Sequence, residues 1–143
     1  MRVSQVLKVK GDLVFTASPN ETIGAVAALL HARRVGAMVV VDENRGVIGI
    51  VSERDIVRIV AESGGENLHQ PVSHCMTRDV IFAEPHETVD SLLERMTDRR
   101  IRHLPVCEDG RLLGIISIGD LVKTKIAEAV AEAEDLRAYI AAA

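Results

Sequence analysis

The sequence predicts an α+β fold made of two copies of one unit (strand, helix, strand, strand, helix), followed by an extended C-terminal helix. Three observations carry that prediction. Gly49-Ile50-Val51-Ser52-Glu53-Arg54-Asp55 recurs as Gly114-Ile115-Ile116-Ser117-Ile118-Gly119-Asp120. Upstream, Pro19-Asn20-Glu21-Thr22-Ile23 matches Pro85-His86-Glu87-Thr88-Val89, and the run from Arg33 to Val40 matches that from Arg99 to Val106. Finally, the apolar spacing changes between helical and strand-like at matching places in both copies.

The elements follow in order. Val3-Ser4 before Val6-Leu7 corresponds to Val72-Ser73 before Cys75-Met76, so even the lead-ins repeat. Ile23, Val26, Ala27 and Leu30 fall at helical spacing after a Thr22 N-cap, as do Val89, Leu92, Leu93 and Met96 after Thr88. Arg33-Arg34 and Arg99-Arg100 end those helices, where cations suit the C-terminal dipole. Residues 37–41 and 47–52 are β-branched runs around a turn with Asn44 and Gly46, which predicts a hairpin; 104–107 and 112–117 repeat it around Asp109-Gly110. A helix through Ile56, Val57, Ile59 and Val60 is expected to stop near Ser63-Gly64-Gly65. This gives residues 1–62 as the first repeat, 63–71 as linker, 72–125 as the second repeat and 126–143 as the C-terminal helix. Val122, Ile126, Ala129, Ala133, Leu136 and Ile140 form a heptad-like stripe that either packs on its own domain or makes a dimer contact.

Composition narrows the function classes. With 143 residues, two half-sized repeats are expected to share one buried core rather than form two free domains, since each alone would bury too little surface. An apolar content of 48% with only 2% aromatic residues predicts an aliphatic core. A net charge of -4, without a basic stripe, argues against nucleic acid. No apolar run approaches the roughly 20 residues of a membrane span, and the start lacks a signal-like stretch, so a cytoplasmic protein without membrane partners is expected. Cys75 and Cys107 are read as small buried thiols. His69, His74 and Cys75 lack the spacing of a structural zinc site, so no metal is expected, and no nucleophile, base and orienter grouping emerges.

The ordered, duplicated motifs Pro-x-Glu-Thr-hydrophobic, hydrophobic-x-x-Leu-Pro-Val (complete in the second copy) and Gly-hydrophobic-hydrophobic-Ser-x-x-Asp resemble a tandem pair of CBS domains, the family named after cystathionine β-synthase. The resemblance spans about Val3 to Val122 and points to a free-standing bacterial-type protein. It implies two units packed around a pseudo-two-fold axis, with two clefts for adenine nucleotides or related adenosyl compounds: AMP first, with ATP, ADP, NAD or S-adenosylmethionine as the other candidates.

The residues suit such chemistry physically. Ser52 and Ser117 stand where a strand feeds a helix, so exposed amides and the helix dipole can receive phosphate oxygens. Asp55 and Asp120, one turn in, can accept hydrogen bonds from a ribose diol. Gly49 and Gly114 allow close backbone approach beside the cleft. The competing interpretation of each Ser-x-x-Asp is a capping box that closes a helix end. The copies differ at Gly36-Ala37, which become Arg102-His103 before Leu104-Pro105, and at Arg54, which becomes Gly119. In similar pairs the Arg102-His103 arm reaches phosphate, which assigns it to the cleft of Ser117 and Asp120. Arg102 is a permanently charged fork, while His103 adds charge mainly below neutral pH.

The expected function is a non-enzymatic sensor that binds an adenosyl nucleotide, forms a homodimer and signals to a regulated protein not identifiable from sequence. The alternatives are a ligand-free interaction or dimerisation module, and an enzyme related to IMP dehydrogenase. The last needs a barrel of roughly 250 residues, for which the chain leaves no room.

Overall fold

A computed structural model describes residues 1–11 and 14–142. Asp12 and Leu13 of the expected first repeat, and Ala143 at the end of the expected final helix, lie outside the described residues. The elements run α1 (Val3–Lys10), β1 (Thr16–Ala17), α2 (Ile23–Arg33), β2 (Ala37–Val41), β3 (Val47–Ser52), α3 (Glu53–Ser63), α4 (Val89–Arg99), β4 (His103–Glu108), β5 (Arg111–Ser117) and α5 (Ile118–Ala142). Two 3-10 turns, Gly65–His69 and Val72–His74, occupy the middle of the chain.

Local chemistry sets most boundaries. Thr22 and Thr88 cap α2 and α4 as expected, each accepting a hydrogen bond at 3.1 Å from the amide three residues on. Both helices end on an arginine in the left-handed conformation, Arg34 at φ 54° and Arg100 at φ 55°. Arg33 also stacks its guanidinium 4.3 Å from the centre of the Phe15 ring, which supports a structural role for that pair. Gly64, at φ 77°, stops α3 by adopting a backbone that side chains resist.

Strands β1, β2 and β3 form one sheet in that order, with β1 parallel to β2 and β2 antiparallel to β3. In the second copy only β4 and β5 form a ladder, and the expected first strand shrinks to a parallel bridge between Ala83 and Val106. The two hairpins otherwise match, even to a register shift at Val40/Val41 and at Val106/Cys107.

Two buried clusters form where one shared core was expected, and each draws on residues from both halves of the chain. Val3 and Val6 of α1 pack with Ala83, Val89, Leu92, Met96, Leu104 and Ile116, all of the second half. Val72, Cys75 and Met76 pack with Ile23, Val26, Leu30, Met38 and Val51 of the first. Each half is therefore completed by the lead-in of the other, and the ranges 1–62 and 72–125 do not enclose separate cores. The exchange explains two glycines. A Cβ on Gly49 would lie 2.5 Å from Met76 Sδ and 3.1 Å from the Thr77 carbonyl oxygen, and one on Gly114 would lie 2.7 Å from Leu7 Cδ2. Their close approach is to these exchanged side chains rather than to a ligand.

The C-terminal helix begins at Ile118 and continues unbroken to Ala142, so residues 126–142 of the expected 126–143 segment are its distal part rather than a separate element. Its stripe does not pack on its own domain: Ile126 is 59% exposed and Ile140 65%. Among the described residues no helix is long and apolar enough to cross a membrane.

Gly49→Ala is expected to destabilise the fold by about 1–3 kcal/mol through overpacking. In a Met76→Ala background that penalty should shrink, leaving the smaller clash with the Thr77 carbonyl. Urea denaturation of the four proteins checks this; equal penalties in both backgrounds would contradict the exchanged packing.

Candidate functional site

Ser52 ends β3 and caps α3. Its amide donates to Asp55 Oδ2 at 2.9 Å, its hydroxyl donates to the same oxygen at 3.1 Å, and the Asp55 amide lies 3.3 Å from Ser52 Oγ. The second copy repeats the box: Ser117 N–H to Asp120 Oδ2 at 2.9 Å, and Asp120 N–H to Ser117 Oγ at 3.1 Å. Both Ser-x-x-Asp motifs are therefore capping boxes. The remaining oxygen of Asp55 takes Arg58 Nη1 at 3.1 Å and Thr77 Oγ1 at 3.5 Å, and the residue is only 6% exposed.

Capping uses amides that the sequence left open for phosphate. Glu53 N–H donates to the Gly36 carbonyl at 3.0 Å, and Ile118 N–H donates to the Arg102 carbonyl at 2.8 Å. The first turn of α3 also carries Glu53 and Asp55, which offset the positive end of its dipole. Anion attraction at this helix start therefore has to come from arginine side chains.

Three arginines supply it. A cavity of about 510 Å3 is lined by Ser52, Glu53, Arg54, Asp55 and Val57 around α3, by Gly36 and Ile50, by Thr77, Asp79, Val80 and Ile81 of the connecting segment, and by Arg100, Ile101, Arg102, His103 and Pro105 of the second copy. Its volume falls in the range of small-molecule sites. Arg54, Arg100 and Arg102 share this lining with Glu53, Asp55 and Asp79 and with isoleucine, valine and proline side chains.

Seven of the ten sequence-predicted residues line this cavity: Gly36, Ser52, Arg54, Asp55, Arg102, His103 and Pro105. Ala37, Ser117 and Asp120 do not. Arg102 and His103, expected at the cleft of Ser117 and Asp120, line the cavity that holds Ser52 and Asp55. His103 pairs with Ser117 along the β4–β5 ladder, but its ring lies over Gly36, whose missing side chain leaves room: a Cβ there would be 2.9 Å from Nε2. Register governs the backbone neighbour, while side-chain space governs which cavity the ring joins.

Burial holds the His103 pKa below its ordinary value. Lys10 and Arg102 push in the same direction, against Glu53 and Asp120. His103 is thus a neutral imidazole near pH 7 and contributes no phosphate-binding charge there. For Asp120, burial acts upward, but hydrogen bonds from Lys10 and Ser117 outweigh it and hold the carboxyl below its usual range. Cys75 is buried and Cys107 half-buried; burial raises both thiols, most strongly opposed in effect at Cys75 by nearby Arg58, so neither is an activated nucleophile. Among the described residues no group of three or more His, Cys, Asp or Glu side chains is arranged to hold a metal ion.

Sequence reasoning missed Glu53, Thr77, Asp79 and Lys10. Thr77 follows the repeated Cys75-Met76 lead-in directly, which was the one signal placing that segment beside the motif.

The CBS-domain family pattern matches residues 9–62 and 72–127. The chain belongs to the CBS-domain family. A CBS-domain protein from Agrobacterium tumefaciens has a similar structure, with a TM-score of 0.85 and 48% identity, covering 87% of this chain and 92% of its own. The mitochondrial CBS domain-containing protein CBSX3 of Arabidopsis thaliana is 33% identical over 96% of this chain and 71% of its own length. The CBS domain pair of protein MJ0100, solved in complex with 5-methylthioadenosine and S-adenosyl-L-methionine, has a TM-score of 0.80 at 26% identity, covering 90% of this chain and 98% of its own. Two CBS repeats around a pseudo-two-fold axis, with an extended C-terminal helix, are thus the architecture of this α+β chain.

Because the folded pKa of His103 lies below the unfolded value of about 6.5, the unfolded chain binds more protons between the two. The resulting penalty is absent above the unfolded pKa and grows as pH falls toward the folded one. Urea midpoints measured from pH 7.5 downward should therefore fall more steeply for the wild type than for His103→Gln. Parallel pH profiles would show that His103 is not desolvated.

Proposed function

We propose that this chain is a non-enzymatic regulatory module that binds an adenosyl ligand, AMP first, between its two CBS repeats and passes the bound state to a regulated protein. The observation that carries this is the cavity where Ser52 and Asp55 of one copy meet Arg102 and His103 of the other. Ile50, Val80, Ile81, Ile101 and Pro105 supply apolar walls for a base. Asp55 accepts from the ribose diol when the hydroxyls replace its long contact with Thr77. Arg54, Arg100 and Arg102 take the phosphate. Their charge is balanced by Glu53, Asp55 and Asp79, which suits a monophosphate better than a triphosphate. The adenosyl ligands bound by the MJ0100 pair support the ligand class. NAD, ADP, ATP and S-adenosylmethionine remain members of the panel to be titrated.

A second reading, an interaction module without ligand, draws on one observation: the Ser52 and Asp55 capping box is complete in itself. The two separate cleanly. AMP at about 100 times its dissociation constant should stabilise the chain by about 2.7 kcal/mol. Arg102→Ala should weaken AMP about tenfold or more while leaving adenosine nearly unchanged, whereas Asp55→Asn should weaken both. No thermal shift with any adenosyl ligand at millimolar concentration would leave the interaction module standing.

The assembly we propose is a cytoplasmic homodimer. Val122, Ile126, Leu136 and Ile140 stay exposed on α5, and closed two-fold symmetry is the commonest way to cover such a stripe. Light scattering should report a dimer at high micromolar concentration, weakened by truncation after Lys125. A dimer indifferent to that truncation would remove the stripe from the interface.

A further inference from the structure

Among the described residues that line the cavity, His103 is the only histidine, the side chain whose charge ordinarily changes near neutral pH. Its ring occupies the space left by Gly36, at the seam between the two copies. Charged groups act on it from the elements around it: Lys10 from α1, Glu53 from α3, Asp120 from α5 and its chain neighbour Arg102. Lys10 and Asp120 bond each other at 2.6 Å, so their charges largely cancel. Arg102 is then set against Glu53, whose residue is exposed and whose charge water screens. Burial tips that balance toward the neutral ring. No hydrogen bond enters the balance, so no protein partner has to leave the imidazole when a ligand arrives.

Resting on the adenosyl-binding reading above, we infer that His103 takes up a proton from solvent as the ligand's phosphate enters the cavity, and so sharpens selection of phosphorylated over unphosphorylated adenosyl ligands as pH falls. A phosphomonoester carries a charge of about −1.5 to −2 near pH 7. Inside the cavity that charge is screened less than in bulk water, which favours the imidazolium. The protonated ring returns a charge-assisted hydrogen bond. Arg54, Arg100 and Arg102 cannot supply this pH dependence, because a guanidinium keeps its charge throughout. Adenosine brings no charge and leaves the ring neutral. Proton and ligand are linked reciprocally: affinity for the phosphorylated ligand rises as pH falls from the pKa of His103 in the complex to its lower value in the free protein, then levels off.

Nitrogen-15 NMR of the histidine rings reads the protonation state directly, with the His103 signals assigned by their loss in His103→Gln. A pH titration should give His103 a higher pKa in the AMP complex than in the free protein, and no rise in the adenosine complex. Calorimetry gives a second reading. From about pH 7.5 to about pH 5.5 the AMP-to-adenosine affinity ratio of the wild type should grow about fivefold or more relative to that of His103→Gln, the margin of a charged over a neutral hydrogen bond. Comparison with the variant cancels the second ionisation of the AMP phosphate itself, at a pKa of about 6. Should His103→Gln fail to fold, His103→Asn serves both purposes. A His103 pKa unmoved by bound AMP overturns the inference. So does an equal rise with adenosine, or wild-type and variant ratios that run parallel across the pH range. Calorimetry that detects neither AMP nor adenosine binding in the wild type would instead remove the adenosyl-binding reading, and this inference with it.

Discussion

The exchange of lead-in segments is the constraint on which the rest of the molecule depends. Val3 and Val72 are fully buried, each in the core of the opposite half, and the backbone pins them in matching ways: Val3 N–H donates to the Glu87 carbonyl and Val72 N–H to the Glu21 carbonyl. Neither core is closed by its own half, so the two cores, though separate, are stabilised together. The cavity between the copies follows from the same constraint. Once Val72, Cys75 and Met76 are committed to the first core while Ala83 bridges to β4, residues 77–81 must pass between the copies, where they become one wall of the site.

Duplication supplied two equivalent frames, and divergence in charged residues made them unequal. Glu87 is paired with Arg95, but the matching position in the first copy is Leu29, and Glu21 Oε2 is buried without a hydrogen-bond partner. Gly36 leaves room for the His103 ring, whereas Arg102 at the matching position projects charge into the cavity. Lys10 closes on Asp120 while Asp55 relies on Thr77 and Arg58. The apolar frame is nearly symmetric because packing tolerates little variation, while the polar lining varies because solvent-facing groups have less to fit.

The capping boxes reconcile the structural and functional roles of Ser-x-x-Asp. A carboxylate fixed by its own helix terminus is already oriented, so it meets a ribose without further ordering of its side chain. Under the proposed function, the structural use of Asp55 in its helix cap leaves its carboxylate oriented in advance.

What the sequence determined by itself is the local and the repeated. The strand limits at 37–41 and 47–52, the Thr22 and Thr88 caps, the stop at Gly64 and the duplicated order were all legible, because propensity, capping and periodicity act within a few residues. So were seven residues of the cavity, through the motifs that carry the family resemblance. Tertiary structure decided which copy's arm serves which cavity, which half each lead-in completes, and that the α5 stripe stays uncovered. It also decided that Lys10 meets Asp120, 110 positions away. These outcomes turn on side-chain space and on contacts between distant segments, such as the void over Gly36 that admits His103. No spacing along the chain encodes that geometry until both halves are packed.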